Sequence, residues 1–233
     1  MRLKAWVNKI WPAYAFWPTV AVFTLNTLAY TISKLFNQNF THYDLSISLD
    51  SKIPFVPWFV IFYVIAFAQW AWNYFFHARA GREEFYHIII TDLMAKMVCL
   101  IIFTVMPTDM VRPEITGNTL WDWGLKIIYF VDTPTNLFPS VHCLASWLAF
   151  RASLLMKNMP KWYPVCQLII SLLVFASTVL IKQHLFLDII SGVLLVEICW
   201  FIARRFSLWR VVKIFETKEI RAQFSQKEEE GKS

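Results

Sequence analysis

Residues 162–203 read WYPVCQLIISLLVFASTVLI, then KQHL, then FLDIISGVLLVEICWFIA. Crossing the hydrocarbon core of a bilayer as α-helix takes about 20 largely apolar residues, and both outer runs qualify. The connection between them is Lys182–Leu185. It carries Lys182 and His184, with Asp188 just inside the second run. Working outward, the same criterion gives four more runs: Trp11–Ile32, Pro54–Phe76, His87–Met106 and Pro139–Met156. With Trp162–Ile181 and Phe186–Ala203, the expected fold class is all-α: a polytopic membrane protein with six transmembrane helices in one bundle. Residues 1–203 form the six-span membrane domain and 204–233 a charged tail, read as solvated and partly disordered. The first run begins too late and is too long for a cleaved signal peptide, so its retention is expected.

Composition agrees. Of 233 residues, 58% are hydrophobic and only 16% charged, against roughly a quarter charged in soluble domains. The 12 Trp and 21 Phe suit interfacial belts and lipid-facing surface. The formal net charge of +6 raises nucleic acid as a partner. The basic residues flank apolar runs, however, which is the membrane pattern, so no nucleic acid is expected. Cys99, Cys143, Cys166 and Cys199 all lie in apolar runs without metal-type spacing and read as buried small residues.

Lys and Arg set the orientation. Sixteen fall on the side of the termini and five on the other (Lys34, Lys52, Arg112, Lys126, Lys182), with Lys96 inside a run. The positive-inside rule makes both termini cytoplasmic. The unusual polar residues then gather on the outer side. Ionisable groups at the ends of apolar helices are expensive, which makes them functional candidates.

His184 and Asp188 share a face if helical, so the carboxylate can fix one ring nitrogen and leave the other as nucleophile or base. His142 falls in the first turn of the fourth run, with Pro139 read as its first residue. The backbone N–H groups of that turn and the Ser140 hydroxyl make an anion site. Arg112 supplies a forked donor and Lys182 a point charge. These are parts of a metal-free phosphoryl-transfer site, with His184 attacking phosphorus and His142 protonating the leaving oxygen. Each part also has a plainer role. The histidine–aspartate pair can be structural, two histidines and an aspartate can ligate zinc, and Arg112 can anchor at the interface. His42, His77 and His87 are read as interfacial or hydrogen-bonding residues.

Arg112-Pro113, Pro139-Ser140-Val141-His142 and Ser177-Thr178-x5-His184-x3-Asp188 resemble, in order and spacing, the three blocks of the type 2 phosphatidic acid phosphatase superfamily. The resemblance covers roughly residues 90–200. It implies a six-helix, metal-independent membrane enzyme without cofactor. His184 would carry a phosphohistidine intermediate, His142 would be the acid, Asp188 the orienting carboxylate, and Arg112 and Ser140 phosphate ligands. The chain departs from the family at Val105, Val141 and Thr178, where Lys, Gly and Arg are expected. Lys96 takes no role, whereas Lys182, one turn along the face of Thr178, is a candidate replacement cation. The shortened basic set is similar to the branch containing inositol phosphorylceramide and sphingomyelin synthases.

The leading expectation is a plasma-membrane lipid phosphatase with an extracytoplasmic site. Its substrate would be a lipid phosphate or diphosphate such as phosphatidate, phosphatidylglycerophosphate or polyprenyl diphosphate. A lipid phosphotransferase passing a headgroup to an alcohol stands beside it, as do a zinc-dependent hydrolase and a non-catalytic protein or transporter with a degenerate anion site. Membrane lipids are the expected surroundings, and the sequence sets no oligomeric state. Asn118–Val131 reads as an amphipathic helix lying at the interface over the site.

Overall fold

A computed structural model describes residues 11–157 and 159–230, with side chains as far as 226. The helices are α1 (Ala13–Asn37), α2 (Val60–His77, entered through a 3-10 turn at Pro57–Phe59), α3 (Arg82–Val105), α4 (Leu120–Val131), α5 (Val141–Ser153), α6 (Trp162–Leu180), α7 (Phe186–Arg205) and α8 (Lys218–Glu230). A 3-10 segment, Leu208–Phe215, precedes α8. No strand is formed among the described residues.

Among the described residues, four helices are long and apolar enough to cross a membrane: Pro57–His77, Arg82–Val105, Trp162–Leu180 and Phe186–Arg205. The protein is therefore an all-helical integral membrane protein. The other two expected spans differ from these four. Helix α1 is 25 residues long but carries Pro18, Asn26 and several threonines, which lower its apolar character. Helix α5 has only 13 residues, about 20 Å at 1.5 Å per residue. The run Pro139–Met156 is thus not one continuous helix. Ser140 is the N-cap, which puts Pro139 outside the helix rather than at its first position, and Leu154 is the C-cap.

Short as it is, α5 is the centre of the bundle. It packs against α2, α3, α6 and α7, and Leu144, Leu148 and Ala152 join Cys99, Phe103 and Val196 in the main core. Helix α7 approaches it most closely at Gly192, where a Cβ atom would lie 2.7 Å from the Ser140 carbonyl oxygen. Only a residue without a side chain fits so near a neighbouring backbone.

Helix directions alternate between two ends of the bundle. At one end, Asn37 of α1 donates to the Phe103 carbonyl of α3 (2.6 Å) and to Asn136 (3.0 Å). At the other, Tyr14 of α1 packs edge-on against Phe85 and Tyr86 of α3. Between these ends the helices are joined by polar side chains. Gln69 and Asn73 of α2 both donate to Gln167 Oε1 of α6 at 3.0 Å, and Ser171 of α6 donates to the Ser146 carbonyl of α5 at 2.7 Å. In an apolar bundle such bonds hold helices together because the alternative is an unpaired polar group. Lys96 belongs to this framework. Its ammonium meets Asp92 at 3.0 Å, and the Tyr74 hydroxyl donates to the same carboxylate oxygen.

Part of the tail also departs from expectation. Val212 and Ile220 are buried, and Trp209 and Phe215 pack on the Phe85–Tyr86–Ile89 cluster. Glu216 accepts from Tyr86 at 2.9 Å and pairs with Arg82 at 3.4 Å. The charged composition concealed alternating apolar residues that dock on α3. Glu216→Ala removes the acceptor that fastens this docking. The expected result is faster proteolytic cleavage after residue 206, measured by limited digestion of the detergent-solubilised protein.

Candidate functional site

At the bundle end that holds the α2 and α5 N-termini, α6 stops at Leu180 and the chain turns sharply. The Thr178 carbonyl accepts both Gln183 N–H (2.9 Å) and His184 N–H (3.0 Å), and Lys182 takes the left-handed conformation at φ 53°. Helix α7 begins at Phe186 with Leu185 as its N-cap. His184 therefore stands before the helix and does not share a helical face with Asp188. The two meet all the same. Asp188, in the first turn, accepts Leu185 N–H at 2.8 Å and faces His184 Nδ1 at 3.2 Å. Both are buried. With Nδ1 committed to the carboxylate, Nε2 keeps its lone pair.

His142 lies in the first turn of α5, and its ring centroid is 5.9 Å from that of His184. An aromatic cage fixes the ring: Tyr63 stacks on it at 4.1 Å, Trp70 lies at 5.1 Å and Phe67 at 5.6 Å. The Tyr63 hydroxyl is 3.3 Å from His142 Nδ1 and 2.5 Å from Asp132 Oδ2. His142 Nε2 is buried without a hydrogen-bond partner.

Arg112 donates to the Asp132 carbonyl at 2.6 Å, and its guanidinium lies 4.6 Å from the centre of the Tyr129 ring. Burial lowers its pKa, and the negative charge of Asp132 opposes that shift. A cavity of about 540 Å³ opens beside it, lined among others by Arg112, Lys182, His184, Ser46 and Phe55. His184, Arg112 and Lys182 thus share one cavity; His142 does not line it, and its ring centroid lies 5.9 Å from that of His184.

Two expected ligands are otherwise engaged. Ser140 is fully buried; its hydroxyl accepts Cys143 N–H at 3.3 Å and its own N–H donates to the Asp188 carbonyl at 3.2 Å. It ties α5 to α7. Lys182 does not continue the face of Thr178, because α6 has already ended. Thr178 is buried, with its hydroxyl donating to the Phe175 carbonyl at 2.8 Å. The Lys182 ammonium donates to the carbonyls of Asp50 (3.0 Å) and Ile53 (2.7 Å), and burial lowers its pKa. It therefore fastens the loop before α2 to the cavity wall. Val105, where the resemblance expects lysine, is 66% exposed at the end of α3.

Lys182→Met is expected to cost about 1–2 kcal/mol of stability, less than two fully buried hydrogen bonds from a charged donor would contribute, because the ammonium is partly exposed. A thermal melt checks it, and a wild-type melting temperature would show that Lys182 does not fasten the loop.

The other histidines lie outside this group. His42 is 3.7 Å from Asp109, His77 is at the opposite end of the bundle against the Asn73 carbonyl at 2.6 Å, and His87 lies edge-on to Trp200. Among the described residues, no group of three or more His, Cys, Asp or Glu side chains is placed to hold a metal ion. Helix α4 is an amphipathic helix begun by a Thr119–Asp122 capping box. It packs Leu125 and Ile128 against Val60 and Tyr63 and exposes Leu120, Trp123, Ile127 and Phe130.

Tyr63 and Asp132 received no role from the sequence. Tyr63 lies in an aromatic-rich apolar run and Asp132 in a loop, and no spacing links them to His142. Comparison with known proteins gives no match, either to a family model or to a curated protein.

Proposed function

We propose that the protein is a six-span lipid phosphatase working through a phosphohistidine on His184. The observation that carries this reading is the His184–Asp188 pair lying beside His142 and opening, with Arg112, on one cavity. His184 Nε2 attacks phosphorus, the phosphorus–oxygen bond to the lipid breaks, and His142 gives the leaving oxygen a proton. Water then attacks the phosphohistidine, with His142 taking its proton. The Lys/Arg distribution favours an extracytoplasmic site with both termini in the cytoplasm. Helix α1, of 25 residues, is long enough to cross, at about 37 Å. Short α5 is screened from lipid by its neighbours. The exposed apolar face of α4 suits the interface and lateral entry of a lipid from the bilayer.

A phosphotransferase is the second reading. The observation favouring it is the thin cation set: Val105 is exposed, Thr178 is buried, and Lys182 is held by backbone carbonyls. A phosphodiester donor carries less charge than a monoester and asks for fewer cations.

A panel of lipid phosphates, diphosphates and phosphodiesters, incubated with purified protein with and without alcohol acceptors and read by mass spectrometry, separates the two. Free phosphate in the presence of EDTA supports the phosphatase. A product carrying the acceptor alcohol supports transfer. No turnover of any member overturns both.

A further inference from the structure

The two histidines of the site are backed differently. His184 has Asp188 directly behind it, whereas His142 has no carboxylate in contact. Behind His142 stands the Tyr63 hydroxyl, 3.3 Å from Nδ1, and behind that Asp132, 2.5 Å from the same hydroxyl. A tyrosine hydroxyl has one proton to donate. The shorter contact, to a carboxylate, takes it, so toward His142 the oxygen presents lone pairs. Nδ1 is then the protonated nitrogen, and Nε2, unpartnered and buried, is the working atom. The ring stack at 4.1 Å and 27° lays the electron-rich phenol against the imidazole.

We propose that Tyr63 and Asp132 are positioning residues that hold the proton on His142 Nδ1 and stabilise its imidazolium form, making it the general acid. The proposal rests on the phosphoryl-transfer reading above. The first step requires His142 to carry protons on both nitrogens. As His184 Nε2 bonds to phosphorus, the lipid oxygen leaves with its electron pair and takes the Nε2 proton. His142 is then neutral, with Nδ1–H still donating to Tyr63 and Nε2 free to take a proton from the attacking water. Asp132 serves the phosphate side too, because its carbonyl receives Arg112 at 2.6 Å. One loop residue thereby couples the cation to the acid. The loop is itself fastened: Asn136 bonds Asn37 and Ser33 of α1 at 3.0 and 2.9 Å, and Leu137 N–H donates to Thr108 at 2.9 Å.

The test compares Tyr63→Phe and Asp132→Asn with wild type on two phosphomonoesters, short-chain phosphatidate and p-nitrophenyl phosphate. The first substitution keeps the stacked ring and removes the hydroxyl; the second keeps the shape of aspartate and removes its charge, so each breaks the relay with little change in volume. An alkyl oxygen needs an acid to leave; p-nitrophenolate does not. For phosphatidate, kcat/KM is expected to fall about 10²-fold in both variants, the lower range for general acid catalysis. For p-nitrophenyl phosphate kcat/KM should stay within about threefold, and phosphohistidine should accumulate on His184 because the second step lacks its base. Equal losses on the two substrates, or no loss on either, overturn the relay while leaving the phosphatase reading intact. Absence of turnover and of phosphohistidine in wild type overturns the phosphatase reading, and the relay with it.

Discussion

His184→Ala is expected to remove turnover on every substrate by on the order of 10⁴-fold or more, since it deletes the proposed nucleophile. The change should leave the fold largely in place. The His184 ring makes one hydrogen bond among the described residues, to Asp188, and the turn that carries it is held by backbone bonds to Thr178. Thermal stability and elution volume should therefore stay close to wild type while activity disappears. Asp188→Asn separates orientation from nucleophilicity. The amide can still accept Leu185 N–H, but it no longer stabilises charge on His184, and a loss of about 10²-fold is expected. Retained activity in His184→Ala, measured as phosphate release or as transfer to an acceptor, would show that the histidine is structural.

The second large effect is expected at Gly192, a residue that does not line the cavity. A Cβ there would lie 2.7 Å from the Ser140 carbonyl oxygen and 3.2 Å from Leu144 N. Both atoms belong to the first turn of α5, which carries His142. Gly192→Val must push α5 away from α7, at about 1–3 kcal/mol for overpacking in a close-packed interior. The same movement separates His142 from His184, and a displacement of about 1 Å can cost about 10²-fold in rate. Both a lowered melting temperature and a rate loss of that size are expected, with Gly192→Ala intermediate. Wild-type melting and turnover in Gly192→Val would show that the contact between these helices is slack.

The sequence yields the bundle because apolar length is a strong signal. Trp162–Leu180 and Phe186–Arg205 lie within a residue or two of where their composition puts them. It misjudges Pro139–Met156, because hydropathy is blind to a helix that the bundle surrounds. With its sides covered by other helices, α5 stops after 13 residues, shorter than its apolar run. The tail is misread for the converse reason: its charges advertise solvent, while Trp209, Val212 and Phe215 find a groove on α3 that no local pattern describes.

The candidate site is legible in part. His142, His184 and Asp188 stand out because ionisable groups are rare in such runs, and the structure brings the three together. Their local geometry is not legible from spacing. His184 and Asp188 are four apart, which suggests one helical face, yet they meet across the start of α7. Lys182 is four residues beyond Thr178, yet the end of α6 between them turns it toward Asp50 and Ile53. Tyr63 and Asp132 are invisible as a pair because 69 residues separate them. Long-range side-chain contacts depend on the packing of α2 against α5, and one chain's sequence does not encode that in any short motif.

The most direct measurement is to quench wild-type protein during turnover of a lipid phosphate, digest it under alkaline conditions that preserve phosphohistidine, and map the modified peptide by mass spectrometry. The expected result is one acid-labile phosphoryl group on His184, absent from His184→Ala. Turnover of the same substrate with no phosphoryl group on any histidine, or with the group on His142, would contradict the assignment.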